Sequence, residues 1–167
     1  FFTDKSAEKL IARKKELFDN VVPSSNSVMA TNLHFLGLYY DDERYTALSD
    51  EMLGKVRELV IKEPSHLSNW ATLYYHKLVP TAEVAIAGPQ APEMRSELSA
   101  FYLPNAILLG KGNGTSKLAL LQDKVAIQGK TTIYVCYNKT CQLPVQTAAE
   151  ALEQLQGKQQ STKFPSL

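Results

Sequence analysis

Cysteine is scarce in this sequence: two residues, Cys136 and Cys141, in a chain of 167. That is too few for a disulfide-stapled scaffold. No run of 18 apolar residues occurs and no signal-peptide pattern opens the chain, which excludes a membrane-spanning helix and makes the cytoplasm the expected location. An excess of either charge is missing as well. Eighteen Lys and Arg stand against 17 Asp and Glu, a formal charge of +1, so neither a nucleic acid nor an anionic membrane is an expected partner. The three histidines, His34, His66 and His76, show no H-E-x-x-H or H-x-x-E-H spacing, and no metal or other cofactor is expected. No Ser/His/Asp order, nucleophile elbow or pair of catalytic carboxylates stands out, so the chain is expected to lack a complete active site of its own. The chain opens Phe1-Phe2-Thr3 without an initiator methionine and reads as a piece of something longer. What is present is 44% hydrophobic residues at a mean hydropathy of −0.20, the composition of a soluble globular protein.

The hydrophobic pattern changes near Pro80, and a mixed α+β fold is expected, helical over 1–80 and α/β over 81–156. In Ser27–Tyr40, Met29, Leu33, Leu36 and Tyr40 recur at helical steps. Asp42–Lys62 repeats the pattern with Tyr45, Leu48, Met52, Val56 and Leu59. A third helix is expected from Pro64, with Leu67, Trp70, Ala71, Tyr74, Tyr75 and Leu78 on its apolar face. Short connections at Asp41-Asp42 and near Glu63 make these helices antiparallel neighbours. After Pro80, Glu83–Ala87, Ala106–Leu109 and Thr131–Cys136 have strand length and composition. Helices are expected over Ala91–Tyr102, Ser116–Gln122 and Thr147–Leu155, and this order predicts a small, mostly parallel sheet. Gly157–Leu167 is polar and expected to fray as a flexible tail. Ser6–Leu17 has helical propensity, but its apolar residues share no single face, so helix and extended chain both stay open.

Three segments can carry chemistry. Phe18–Ser27 precedes the first periodic helix, and its Ser, Asn and Asp residues suit a helix start, where side-chain oxygens accept from orphan N–H groups. The functional alternative is that Asp19, Asn20, Ser24 and Asn26 gather at a helix N-terminus and bind hydroxyl groups of a polar ligand, with Arg13 adding charge from just upstream. The second segment, Cys136-Tyr-Asn-Lys-Thr-Cys141, places two thiols five positions apart around a tight turn, within disulfide reach. It is not C-x-x-C, so either redox chemistry or a pair of structural thiols fits it. The third, Gly110–Ser116, follows a strand, as phosphate-binding loops do, but matches neither glycine-rich phosphate motif and reads as a connection.

Phe2, Arg13, Lys15, Asp19, Pro23-Ser24-x-Asn26-Ser27 and Cys136-x-Asn138-x-x-Cys141-x-x-Pro144 together resemble one family. It is the YyaL-type family of thioredoxin-domain proteins, related to the spermatogenesis-associated thioredoxin-like proteins of animals. The resemblance covers essentially the whole chain but only about the last quarter of a full-length member. It implies a thioredoxin-like domain upstream, then an (α/α)6 toroid similar to six-hairpin glycosidases and N-acylglucosamine 2-epimerases, and a small closing α/β segment. Under it, the helical half here is the last part of the toroid, Leu10–Phe18 is extended, and Asp19-Asn20 with Pro23–Ser27 lies near a cavity where related toroids bind sugars. Asp19 then becomes a catalytic candidate and Arg13, Asn20, Ser24 and Asn26 ligand-binding ones, for a carbohydrate-like ligand. Two residues depart from the pattern: Ser25 stands where Gly is usual, and Lys14 where Pro is common. A serine at 25 puts in doubt any geometry there that needs φ > 0.

Three functions follow as expectations: a carbohydrate-binding toroid piece, a thiol-redox accessory using Cys136 and Cys141, and a non-catalytic structural or interaction module. The expected partners are the remainder of the polypeptide and, through helix faces uncovered in a toroid piece, a second copy of this chain, with Trp70, Tyr74 or Tyr75 near the interface.

Overall fold

A computed structural model describes the backbone of residues 16–161 and the side chains of 16–157. The chain divides into two compact units between Leu78 and Val79. The fold is α+β: among the described residues, the first unit holds helices and no strand, and the second holds a four-stranded sheet with helices.

The first unit opens on irregular chain from Glu16 to Ser24, then α1 (Ser25–Tyr40), α2 (Glu43–Gly54), α3 (Arg57–Lys62), a 3-10 turn (Pro64–His66) and α4 (Ser68–Leu78). Ser24 caps α1 by accepting from the Ser27 N–H, and Asp41, at φ 53°, ends it in the left-handed region that a short polar side chain tolerates. Asp42 in turn caps α2. With only those two residues between them, α1 and α2 run antiparallel: Gly37 meets Thr46, and further along Ala30 accepts a hydrogen bond from the Ser49 hydroxyl (2.8 Å). Gly37 is required there, because a Cβ would occupy the space of the Thr46 methyl.

The single helix expected over Asp42–Lys62 is two helices. The first stops at Gly54, a residue that disfavours helix, and Val56 restarts the chain so that Val56 and Val60 both reach the core. Pro64 begins a 3-10 turn rather than the third helix, which starts four residues later. The core of the unit is Leu33, Met52, Leu53, Val56, Val60, Leu67, Trp70 and Leu73. Of the three aromatics expected near an interface, Trp70 is fully buried in this core, and Tyr75 is exposed.

The second unit contains β1 (Ala82–Ala87), α5 (Ala91–Ser99), β2 (Ala106–Lys111), α6 (Ala119–Gln122), β3 (Thr132–Tyr137), β4 (Thr140–Cys141) and α7 (Ala148–Ser161). The strand order is β2-β1-β3-β4. Only β1 and β2 are parallel, joined through α5; β3 is antiparallel to both β1 and β4, so the sheet is mixed rather than mostly parallel. A parallel third strand is usually reached through a helix packed back along the sheet, and the four-residue α6 is too short for that role. The chain turns instead at the same end of the sheet, and β3 starts with Thr132 opposite Ala87, where β1 finished.

Val84, Ile86, Ile133 and Val135 on one sheet face pack with Leu98 of α5 and Leu155 of α7. The other face carries Glu83, Ala85 and Ala87 of β1, with Cys136 directly opposite Glu83. β1 is buried along its whole length, so both faces are covered. The turn from β1 into α5 depends on Gly88, whose φ of 136° excludes a side chain and whose Cβ would lie 2.6 Å from the Thr131 Cα. A capping box starts α7: the Glu150 N–H donates to the Thr147 hydroxyl oxygen (3.3 Å), and the Thr147 N–H donates back to the Glu150 carboxylate (3.1 Å). α7 continues to Ser161, into the stretch expected to fray.

Candidate functional site

Asp19 and its neighbours form the first candidate cluster. The Asp19 side chain is buried, and both its oxygens are occupied. Oδ1 accepts from the Ser24 N–H (2.8 Å) and the Ser27 hydroxyl (2.9 Å), and Oδ2 accepts from the Asn69 N–H in the first turn of α4 (2.9 Å). The Asp19 N–H donates to the His66 carbonyl (2.8 Å), and Asn69 Nδ2 donates to Ser27 Oγ (3.0 Å). One carboxylate thus satisfies orphan donors at the starts of α1 and α4, where the helix dipoles also favour a negative charge. Ser24 is the α1 cap, and the buried Asn26 donates through Nδ2 to the Glu16 carbonyl (2.7 Å).

Asn20, by contrast, is exposed. The structure therefore brings Asp19, Ser24, Ser27 and Asn69 together, with Asn20 outside the network, and binds the polar groups of Asp19, Ser24 and Asn26 to the chain's own atoms. Arg13 lies outside the described residues. Ser25 is the first residue of α1 and has no positive φ, so the geometry that its replacement of Gly put in doubt is not used here.

The second cluster surrounds the cysteines. β3 and β4 are joined by Asn138 and Lys139 at φ 49° and 65°, the two-residue turn whose twist matches paired strands. Gln142 N–H donates to the Val135 carbonyl (2.9 Å), which leaves Cys136 and Cys141 as the facing pair without ladder bonds, where side chains come closest. They are disulfide-bonded. Their surroundings differ sharply: Cys136 is 4% exposed, and Cys141 lies open on the edge strand.

Lys124 Nζ is 3.4 Å from Cys141 Sγ and 5.3 Å from the centre of the Tyr134 ring. The Tyr134 hydroxyl donates to the Val125 carbonyl (2.8 Å) and so ties the lysine's own segment to β3. Lys124 could not be found from the sequence. It sits 17 residues before Cys141, in a segment with no periodic pattern, and only the folding of 112–131 onto the sheet brings its ammonium to the sulfur.

A third group is likewise invisible in the sequence. His34 of α1 and His76 of α4 are both buried, with ring centres 6.0 Å apart, beside Phe35 and Tyr75. Neither ring nitrogen of His34 has a hydrogen-bond partner. Burial, helped by the positive charge of Lys77, lowers the His34 pKa from 6.5 to about 4. His34 is therefore neutral at physiological pH.

The glycine-rich segment after β2 leads only into the four-residue α6, and Gly112 and Gly114 face open space, consistent with a connection. Among the described residues, no three or more His, Cys, Asp or Glu side chains are grouped to hold a metal ion. No described helix is long and apolar enough to cross a membrane. Comparison of the chain with protein-family models, curated proteins and solved structures finds no match.

Proposed function

We propose that this chain is a thiol–disulfide exchange element whose working part is the Cys136–Cys141 hairpin. One observation carries the reading: of the two bonded sulfurs, one is buried and the other lies at the surface under a lysine ammonium. That asymmetry dictates the order of events. An incoming thiolate attacks Cys141 Sγ, the sulfur it can reach. The Cys136–Cys141 bond breaks, its electron pair leaves on Cys136 Sγ, and that sulfur takes a proton. A second thiol then attacks the partner's sulfur in the mixed disulfide and releases Cys141 as thiolate. Two electrons pass to the hairpin, and the partner leaves oxidised as a disulfide. Lys124 stabilises the Cys141 thiolate, which both activates it for the reverse attack and makes it the better leaving group.

Loop length supports two populated redox states. Cys136 and Cys141 are five positions apart, and closing so short a loop contributes about 2 kcal/mol on chain-entropy grounds. The hairpin turn and β3 stay in place without the bond. In a reducing cytoplasm, the compartment proposed here, the resting form is the dithiol. The resemblance to the YyaL-type family suggests the partner on one side of the exchange: a thioredoxin-like domain in the same polypeptide. The helical unit enters as scaffold, a role favoured by the use of Asp19, Ser24 and Asn26 to hold helix starts rather than to face a carbohydrate-like ligand.

The test is capture of the intermediate. A Cys136→Ser variant incubated with an aromatic disulfide should form one mixed disulfide, at Cys141, within minutes, while Cys141→Ser should react at least tenfold more slowly at Cys136. Equal reactivity of the two cysteines, or a wild-type pair that resists excess dithiothreitol in the folded protein, refutes the reading.

A further inference from the structure

Charge along the second unit is unevenly placed. The whole chain is nearly neutral at +1, yet the stretch from Lys111 to Cys141 contains Lys111, Lys117, Lys124, Lys130 and Lys139 against the single acid Asp123, a net +4. This stretch runs from the end of β2 through the hairpin, so it includes both the segment that carries Lys124 to the disulfide and the turn next to Cys141. Lys124 is held in place by the sulfur, the Tyr134 ring and a backbone bond to Leu121 (3.4 Å), and no described carboxylate is within ion-pair distance of it.

We infer that the Cys141 site selects a thiol that bears its own negative charge within a few ångströms of its sulfur. The inference rests on the exchange reading and names its substrate class. Attack by a thiolate puts negative charge on three sulfurs in line, next to the Lys124 ammonium, and a carboxylate on the same reagent is drawn by the same field. The step balances with two thiols: the first forms a mixed disulfide at Cys141 and frees Cys136 as thiol, and the second removes the first as a disulfide and frees Cys141. A unit charge about 5 Å from an ammonium in a water-like medium is worth roughly a fourfold rate difference, and salt screens it.

The experiment measures reduction of the disulfide in the full chain by three thiols of similar size: 2-mercaptoethanesulfonate (anionic), 2-mercaptoethanol (neutral) and cysteamine (cationic). Each rate is divided by that thiol's rate with an uncharged small disulfide, which removes differences in intrinsic nucleophilicity. At low salt the normalised rates should fall in the order anionic, neutral, cationic, about fourfold per step. The spread should shrink below twofold per step in 0.5 M salt, and Lys124→Gln should remove most of it at low salt. Equal normalised rates, or a preference for cysteamine, overturn the charge selection and leave exchange itself standing. No reduction by any of the three overturns both. A spread that persists in Lys124→Gln at high salt overturns the assignment to this lysine field.

Discussion

Replacing Asp19 separates the structural from the catalytic role of this carboxylate. In Asp19→Ala the Ser24 N–H, the Asn69 N–H and the Ser27 hydroxyl lose their acceptor. The Ser27 hydroxyl recovers, because it already lies 2.9 Å from the Ser24 carbonyl. Two backbone donors remain, that of Ser24 buried and that of Asn69 part-buried, at about 1–3 kcal/mol each, so the loss should be about 2–6 kcal/mol. For a small helical unit that is a large share of a total near the lower end of 5–15 kcal/mol. Asp19→Asn keeps one acceptor but turns an NH2 toward a donor, and should fall between the variant and the wild type.

Trp70 makes the assay specific. It is the only tryptophan, it is buried in this unit, and its indole N–H donates to the Leu17 carbonyl two residues before Asp19 (2.9 Å). Urea unfolding followed by Trp70 fluorescence should show the midpoint falling in the order wild type, Asp19→Asn, Asp19→Ala, with the slope unchanged. A loss below 1 kcal/mol in Asp19→Ala would refute the structural account. If such a stable variant also lost binding of a sugar that the wild type binds, Asp19 would be a ligand group after all.

Acid should weaken the helical unit through His34. Its folded pKa of about 4 lies below the ordinary 6.5, so its contribution is intact above pH 6.5 and is lost as pH falls toward 4. The loss is about 2 kcal/mol at pH 5 and at most about 3 below pH 4. His34→Leu should flatten that part of a stability–pH curve, and an unchanged slope would show that His34 is not the group responsible. Gly88→Ala forces a Cβ to 2.6 Å from Thr131 at a φ of 136°, and should cost the sheet unit about 2–4 kcal/mol in thermal unfolding monitored by circular dichroism; a change within 0.5 kcal/mol would mean the turn can be rebuilt. Thr147→Ala removes the α7 capping box and should cost about 1 kcal/mol, read by the same method.

Local patterns were legible where short-range physics decides the outcome. The helical steps of α1 and α4, the short apolar run of β1, the β-branched run of β3 and the start of α7 at Thr147 all depend on neighbours within a few residues. The division near Pro80 shows in the same way, as a change of period. Errors arose where a local signal was ambiguous. Gly54 could have been a tolerated helix residue or a stop, and only the reach of Val56 and Val60 into the core made it a stop. Pro64 suits the first turn of any helix, 3-10 or α.

The sequence by itself determined most of the helices and the three longer strands, that two thiols flank a tight turn, and that polar residues gather before α1. Tertiary structure alone decided what those residues do. Asp19 became the common acceptor for two helix starts because α4 returns to it from fifty residues away. Cys136 and Cys141 became unlike sulfurs because β3 is interior and β4 is an edge, a difference set by strand order and not by spacing. Lys124 reached Cys141, and His34 reached His76, through packing between segments distant in sequence. Burial, electric field and pairing are long-range quantities, and they depend on which surfaces meet.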